Sequence, residues 1–317
     1  MRIWMDSAHR QYSFPVLPDL RAKGVTDYLA FVVNLGRETA FRSGGRSGML
    51  GSWATDDPAG FSEADIDSLL KIQDRLAVAC KMAIKSQLMR NIAKTYLGRS
   101  AGKRVLSGQI KRGDGQSIKA AIWYADLRNS TAMADTLPRQ DYIDTLNAYF
   151  DTTGGAVVEA GGEILSFIGD AVLAIFPTDG RPDSVTEACE RALAAAAGSR
   201  QRMHVLNDKR AAAGKAGLDF GVGLHLGEVM YGNVGVPARL TFSVFGAAVN
   251  EVARLDQLTK SLGEPVLVTG EFAAAIEQPW RAAGAHALKG VGRKLKVFAP
   301  GWSALPAARK ESATMMA

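Results

Sequence analysis

Residues Glu163–Pro177 read EILSFIGDAVLAIFP, and the fold turns on how this stretch is understood. Two β-type apolar runs, Ile164–Ile168 and Ala171–Phe176, flank the pair Gly169-Asp170. A Gly-Asp pair between such runs is hairpin chemistry. Both runs are apolar enough for the centre of a sheet, where a lone carboxylate is costly unless it is paired. Asp170 is therefore either a turn residue only or a turn residue placed to hold something.

Working outward, the segment from Ser117 alternates strands and helices. IKAAIWYADL predicts a strand, and RQDYIDTLNAYFDTTGGAVVEAGG a helix that ends in glycines. After the hairpin, an Ala-rich helix is expected from Pro182 to about Arg210. LDFGVGLHLGEVMYGNVG reads as two strands with a turn, LTFSVF as another strand, and AAVNEVARLDQLTKSLG as a helix. PVLVTG and HALKGVGRKLKVFAP complete the sheet. Strands mixed with crossover helices predict an α/β layer with helices packed on the sheet.

Upstream, residues 1–60 are rich in Gly, Pro and Ser. TDYLAFVVNLG and MLGSWAT are expected as strands of a small sheet. A long helical pattern follows, opened by a Ser62/Asp65 capping box, with Leu69, Ile72, Leu76, Ala79 and Ala83 at helical spacing. Gly98 interrupts it, and GQIKRGDG is a turn-rich hinge. The long helix is either a dimer stalk or a helix packed on its own domain.

At 317 residues the chain has room for one large domain or two ordinary ones. Hydrophobic residues at 47% and charged residues at 22% describe a globular protein. No apolar run approaches the ~18–20 residues of a membrane span, and the N-terminus lacks the apolar core of a signal peptide. Cys80 and Cys189 are far apart, so reduced thiols in a cytoplasmic protein are expected. The four histidines are scattered and suggest no zinc site. The net charge of +6 suits a polyanionic small molecule. The basic residues form no block and no aromatic platform, so nucleic acid is not the expected partner.

Three sets of residues can carry chemistry. Asp126 ends the strand IWYADL, where a carboxylate either caps the next helix or serves a site. If that strand lies beside the hairpin, Asp126 and Asp170 meet at one edge of the sheet. Like charges that close call for divalent cations, and hard oxygen donors suit Mg²⁺ or Mn²⁺. Asn250 and Arg254 are four apart on a helix and share a face; they are surface residues or a sugar-positioning amide beside a phosphate-directed guanidinium. LKGVGRKLKVFAP offers Lys289, Arg293, Lys294 and Lys296, of which one could meet polyphosphate.

ADLRNST, GGEILSFIGDAVLAIFP, GVGLHLGEVMYGNVG, FSVFGAAVNEVARL and LKGVGRKLKVFA occur in the order seen in class III nucleotidyl cyclases. The resemblance covers roughly Ser117 to Pro300 and is to the soluble bacterial type. It implies a ferredoxin-like cyclase domain over 117–301 that works as a homodimer. It implies that Asp126 and Asp170, with a backbone carbonyl near Leu127, hold two Mg²⁺ or Mn²⁺ ions per site. The ribose 3′-hydroxyl of ATP would attack the α-phosphate in line, and pyrophosphate would leave. The partner chain would supply Asn250 to orient the ribose and Arg254 to neutralise charge developing on the phosphate. Lys289 best matches a polyphosphate lysine. Residues 1–75 resemble the later part of a GAF-like sensory module, which implies that the chain begins partway through it. Residues 76–116 would then be a helical linker and hinge, and 302–317 a disordered tail.

The sequence departs from the family where the purine is read. Ser166 stands where adenylyl enzymes typically have Lys and guanylyl enzymes Glu, and Ser243 where Asp, Thr or Cys is usual. A serine hydroxyl is too short to reach the same base atom as lysine, though water can bridge the gap. Asn129-Ser130 replaces the commoner Gly-Phe, with Ser130 placed to cap the following helix. The resemblance to bacterial relatives, most of which use ATP, implies an adenylate cyclase, and the two serines imply relaxed purine choice. Guanylate cyclase activity, a non-catalytic nucleotide-binding or dimerisation module, and a different two-metal phosphotransferase remain as alternatives.

Overall fold

A computed structural model describes residues 1–5, 14–37, 46–288 and 292–303. It divides into two compact units, Met1–Ile92 and Ala93–Ala317.

In the first unit, β1 (Arg2–Trp4), α1 (Val16–Ala22), β2 (Asp27–Arg37) and β3 (Arg46–Thr55) precede α2 (Glu63–Leu97). The strands form an antiparallel sheet in sequence order, so the two expected strands are present. Asp27 is wholly buried. It is compensated by the Arg2 guanidinium at 2.7 Å and by the Phe61 amide, which donates to it at 3.0 Å. The capping box forms as expected: the Ser62 amide donates to Asp65 at 2.9 Å and the Asp65 amide to the Ser62 hydroxyl at 3.2 Å. The Ser62 hydroxyl also donates to the Asp65 carboxyl at 2.6 Å, and this bond together with that from the Ser62 amide pulls the carboxyl below its ordinary range. The predicted apolar stripe of α2 is largely exposed in the single chain, with Ile72 and Leu76 outward. Ile66, Leu69, Ala77, Cys80 and Ile84 are the better-covered residues, because α2 carries apolar side chains on more than one face.

The second unit continues with α3 (Arg99–Leu106), β4 (Gly115–Leu127), α4 (Ser130–Thr136), α5 (Arg139–Glu159), β5 (Glu163–Ile168), β6 (Ala171–Pro177) and α6 (Pro182–Ala212). Then come β7 (Phe220–Val236), β8 (Arg239–Phe245), α7 (Ala247–Leu262), β9 (Val266–Thr269), α8 (Gly270–Ala273), β10 (Trp280–Ala287) and β11 (Lys294–Pro300). The sheet order is β10-β11-β9-β7-β4-β6-β5, with β8 paired to β7. Its centre, β7-β4-β6-β5, is the ferredoxin-like βαββαβ arrangement. The sheet is mixed: β7 runs parallel to β9, and the other pairs are antiparallel.

Both faces of this sheet are covered, which explains why β4 and β6 are almost continuously apolar. Trp123, Ala125, Val172, Ala174 and Phe176 pack with Tyr149, Cys189, Ala192 and Ala196 of α5 and α6. The alternate residues Ala120, Ile122, Leu173 and Ile175 meet Ala101, Ala248 and Val252 of α3 and α7.

One expectation is corrected. LDFGVGLHLGEVMYGNVG contains no turn; Phe220–Val236 is a single strand of 17 residues, paired to β4 from Phe220 to Gly232. The glycines are there for close approach. A Cβ on Gly223 would stand 2.8 Å from the Val252 carbonyl oxygen, and one on Gly227 2.8 Å from Ala248 Cβ. They let α7 lie against the strand. The real turn follows Val236.

No helix among the described residues is long and apolar enough to cross a membrane. Lys289 and most of the expected disordered tail lie outside the described residues.

Candidate active site

The hairpin forms as predicted, with Gly169 in the left-handed region at φ 66°. That conformation is cheap only for glycine. Asp126 is paired across the ladder with Ala171, so the turn places Asp170 beside Asp126. The edge where β4 ends and β6 begins therefore carries two carboxylates, each only partly exposed. Burial, then the Asp170 carboxyl, push the Asp126 carboxyl up to about 6. The negative field extends to Tyr124 on the same face. Its hydroxyl is pushed up to about 12 by burial and by the charges of Asp126, Asp256 and Asp170.

Asp126 Oδ1 is buried and has no hydrogen-bond partner. A partnerless buried carboxylate oxygen beside a second carboxylate is a donor set that fits a hard divalent cation. Among the described residues no group of three or more His, Cys, Asp or Glu is assembled for a metal. Further donors would have to come from main-chain carbonyls, water or substrate phosphate. Leu127 follows Asp126 at the end of β4, with its side chain buried in the core.

The strand then turns sharply. The Arg128 amide donates to the Asp219 carbonyl at 2.8 Å, and Asn129 adopts a left-handed conformation at φ 58°, which asparagine tolerates better than most residues. Asn129, not Ser130, occupies the cap position of α4. Ser130 is inside the helix and buried, so the expected serine cap does not form.

Helix α7 carries Asn250, which is exposed, and Arg254, whose guanidinium donates to Gln257 at 3.0 Å. Among the described residues neither makes a hydrogen bond or ion pair to Asp126 or Asp170. The adjoining, buried side of α7 is anchored. Glu251 is buried, with His225 Nε2 at 3.4 Å and Arg293 at 3.5 Å. His225 Nδ1 lies 2.9 Å from the Thr269 hydroxyl. Burial pushes His225 down to about 4, so near neutral pH it is an uncharged ring. Arg293 also pairs with Glu271 at 2.7 Å, so it is committed to holding β11 against α7 and α8.

Ser166 sits on β5 just after a bulge that leaves Leu165 unpaired. Such an extra residue bends the strand and re-aims the side chains after it. Ser243 is buried on β8 opposite Gly232, and β5 and β8 approach one another.

Sequence reasoning passed over Arg128, Asp256 and Thr259. Asp256 and Thr259 are each 1% exposed, and the Arg128 guanidinium donates to the Thr259 hydroxyl. The available signal was a carboxylate inside the buried stripe Ala248, Val252, Leu255, Thr259 of an amphipathic helix.

The model of the adenylate and guanylate cyclase catalytic domain matches residues 115–297. An adenylate cyclase of Anabaena cylindrica is 36% identical over 164 residues, 50% of this chain and 31% of that protein. Adenylate cyclase 1 of Rhizobium meliloti is 27% identical over 177 residues, 55% of this chain and 26% of that protein. The chain thus spans about a third of the length of such curated relatives. The adenylyl cyclase CyaB from P. aeruginosa superposes with a TM-score of 0.53 at 26% identity, covering 59% of this chain and 95% of that one. The guanylyl cyclase Cya2 gives 0.51 at 25% identity, covering 58% and 92%. The family match covers more than half of the sequence and contains the strand, hairpin and helix that carry Asp126, Asp170 and Asn250, so the chain belongs to the adenylate and guanylate cyclase catalytic-domain family.

Proposed function

We propose that this chain is an adenylate cyclase, converting ATP to 3′,5′-cyclic AMP and pyrophosphate. The observation that carries the proposal is the pairing of Asp126 with Asp170 at one corner of the sheet, with a buried Asp126 oxygen lacking any partner. A carboxylate pair of this kind is expensive in an unloaded protein and suits a site built for divalent cations. Bound Mg²⁺ or Mn²⁺, two per site, would acidify the ribose 3′-hydroxyl and neutralise charge on the phosphates.

The chain's own residues divide the remaining work. Asp126, Asp170 and the Leu127 carbonyl fix the loaded corner. The 3′-oxygen bonds to the α-phosphorus as the bond to the β-phosphate bridging oxygen breaks, pyrophosphate carries off that electron pair, and the hydroxyl proton passes to solvent. Asn250 orients the ribose, and Arg254 stabilises the charge that builds on the α-phosphate in the transition state. Neither contacts the aspartates of its own chain, which supports a homodimer whose sites combine Asp126 and Asp170 of one protomer with Asn250 and Arg254 of the other. Lys289 meets the polyphosphate. Ser166 and Ser243 face the purine with two short hydroxyls, which supports loose discrimination between ATP and GTP. Residues 1–75 form a GAF-like sensory region, a reading supported by the small antiparallel sheet leading into a long helix.

The test is a cyclisation assay of the purified chain with Mn²⁺ and either ATP or GTP, following cyclic nucleotide and pyrophosphate. Cyclic AMP above cyclic GMP is expected. No product from either nucleotide at saturating metal would leave a binding module in place of the enzyme.

A further inference from the structure

Gly221 stands directly opposite Asp126 in the β4–β7 ladder. A Cβ at Gly221 would come within 2.6 Å of Asp256 Oδ1 and would also overlap the Thr259 hydroxyl and the Arg128 guanidinium. The missing side chain therefore opens a volume, next to the paired carboxylates, that three polar groups share. The Thr259 hydroxyl accepts from Arg128 and donates to the main-chain carbonyl of Asp256 at 2.5 Å. Asp256 is held from behind as well, because α7 is pressed against Gly223, where a Cβ would lie 3.0 Å from the Asp256 amide. Its Oδ1 is buried without a hydrogen-bond partner.

This arrangement solves an electrostatic conflict. Arg128 follows Asp126 by two residues, and a guanidinium fork pairs readily with carboxylates. Released from α7, it would have Asp126 and Asp170 as nearby acceptors and would compete with a divalent cation for them. Among the described residues it makes no ion pair with Asp126, Asp170 or Asp256; its guanidinium donates to the Thr259 hydroxyl. The Asp256 carboxyl on α7, pushed up to about 7 by burial and drawn back toward its charged form by Arg128, supplies a competing attraction where screening by water is weak.

We propose that Asp256 is a positioning residue: with Thr259 it holds Arg128 against α7 and so sets how tightly Asp126 and Asp170 bind a divalent cation. The inference rests on the metal reading of that pair. It adds that α7, the helix bearing Asn250 and Arg254, also governs the metal corner of its own chain.

The experiment is Mn²⁺ binding to the full chain without nucleotide, read from the electron paramagnetic resonance signal of free Mn²⁺. Asp126→Asn is the control; if it binds Mn²⁺ as the parent does, the metal reading itself fails. With that control behaving, Asp256→Asn is expected to weaken Mn²⁺ binding about tenfold, as loss of outer-layer support commonly does. Thr259→Val, which keeps the carboxylate, should weaken it several-fold. Adding Arg128→Gln to Asp256→Asn should restore affinity to within about twofold of the parent, because the competing cation is gone. Parent-like binding by both single variants would overturn the proposal. A double variant as weak as Asp256→Asn alone would overturn it too, by showing that only lost negative charge matters.

Discussion

Asp126 and Asp170 share one corner of the sheet because Asp126 is paired with Ala171 across the β4–β6 ladder and Asp170 is the last residue of the turn before it. The two carboxyls approach closely enough to shift one of them, and Asp126 is raised to about 6 by burial and by Asp170. That single relationship links the fold to the chemistry.

Removing the charge at this corner separates stability from activity. A carboxyl whose folded pKa lies above its unfolded value favours folding at low pH, and that contribution is lost as pH rises from about 4 to about 6. At pH 8 the metal-free chain carries the full penalty. Asp126→Asn is expected to raise its Tm by roughly 2–4 °C while abolishing cyclisation. Calorimetry with chelator at pH 8, beside the cyclisation assay, checks both; a lowered Tm would mean that the carboxylate is stabilising without metal.

The same carboxyl predicts an acid limb for activity. Cation binding requires the deprotonated pair, so kcat/KM should fall as pH drops below about 6. Raising the Mn²⁺ concentration should move the limb to lower pH, because metal and proton compete. A limb that ignores metal concentration would assign it to another group.

Shared sites predict complementation. Asp126→Ala and Arg254→Ala should each be inactive, since each homodimer lacks one necessary group at both sites. Mixed subunits contain one site with neither substitution, and up to half of the parental activity per heterodimer is expected. Heterodimers demonstrated by two affinity tags yet devoid of activity would refute sites built between chains.

Ser166 lies just past the β5 bulge, and a longer cation there can reach where a hydroxyl cannot. Ser166→Lys should raise the ATP/GTP ratio of kcat/KM by about tenfold, the worth of one added hydrogen bond to a charged donor. An unchanged ratio would place purine choice on other residues.

Gly223 tests the packing of α7. Its Cβ would meet the Val252 carbonyl oxygen at 2.8 Å, a main-chain atom that cannot swing aside. Gly223→Ala should cost about 1–3 kcal/mol by overpacking and lower the denaturation midpoint. Gly214→Ala is a useful contrast: its φ is positive at 67°, but nothing lies within 4 Å, so any cost there comes from backbone strain alone.

The sequence by itself determined the alternation of strands and helices, the hairpin at Gly169-Asp170, the capped long helix from Ser62, and the candidate carboxylates and helix residues. These are local properties: apolar periodicity, turn chemistry and capping are written over a few neighbouring residues. Tertiary structure decided what depends on contacts distant in sequence. The glycines of Phe220–Val236 looked like a turn because their reason for being small, the close approach of Ala248 and Val252 on α7, lies far along the sequence. Ser130 looked like a cap, but the chain direction after β4 hands that position to Asn129. Asp256 looked like one more polar residue of an amphipathic helix. Only the fold brings its buried carboxyl to the space behind Gly221, beside Arg128 and Thr259 and close to Asp126.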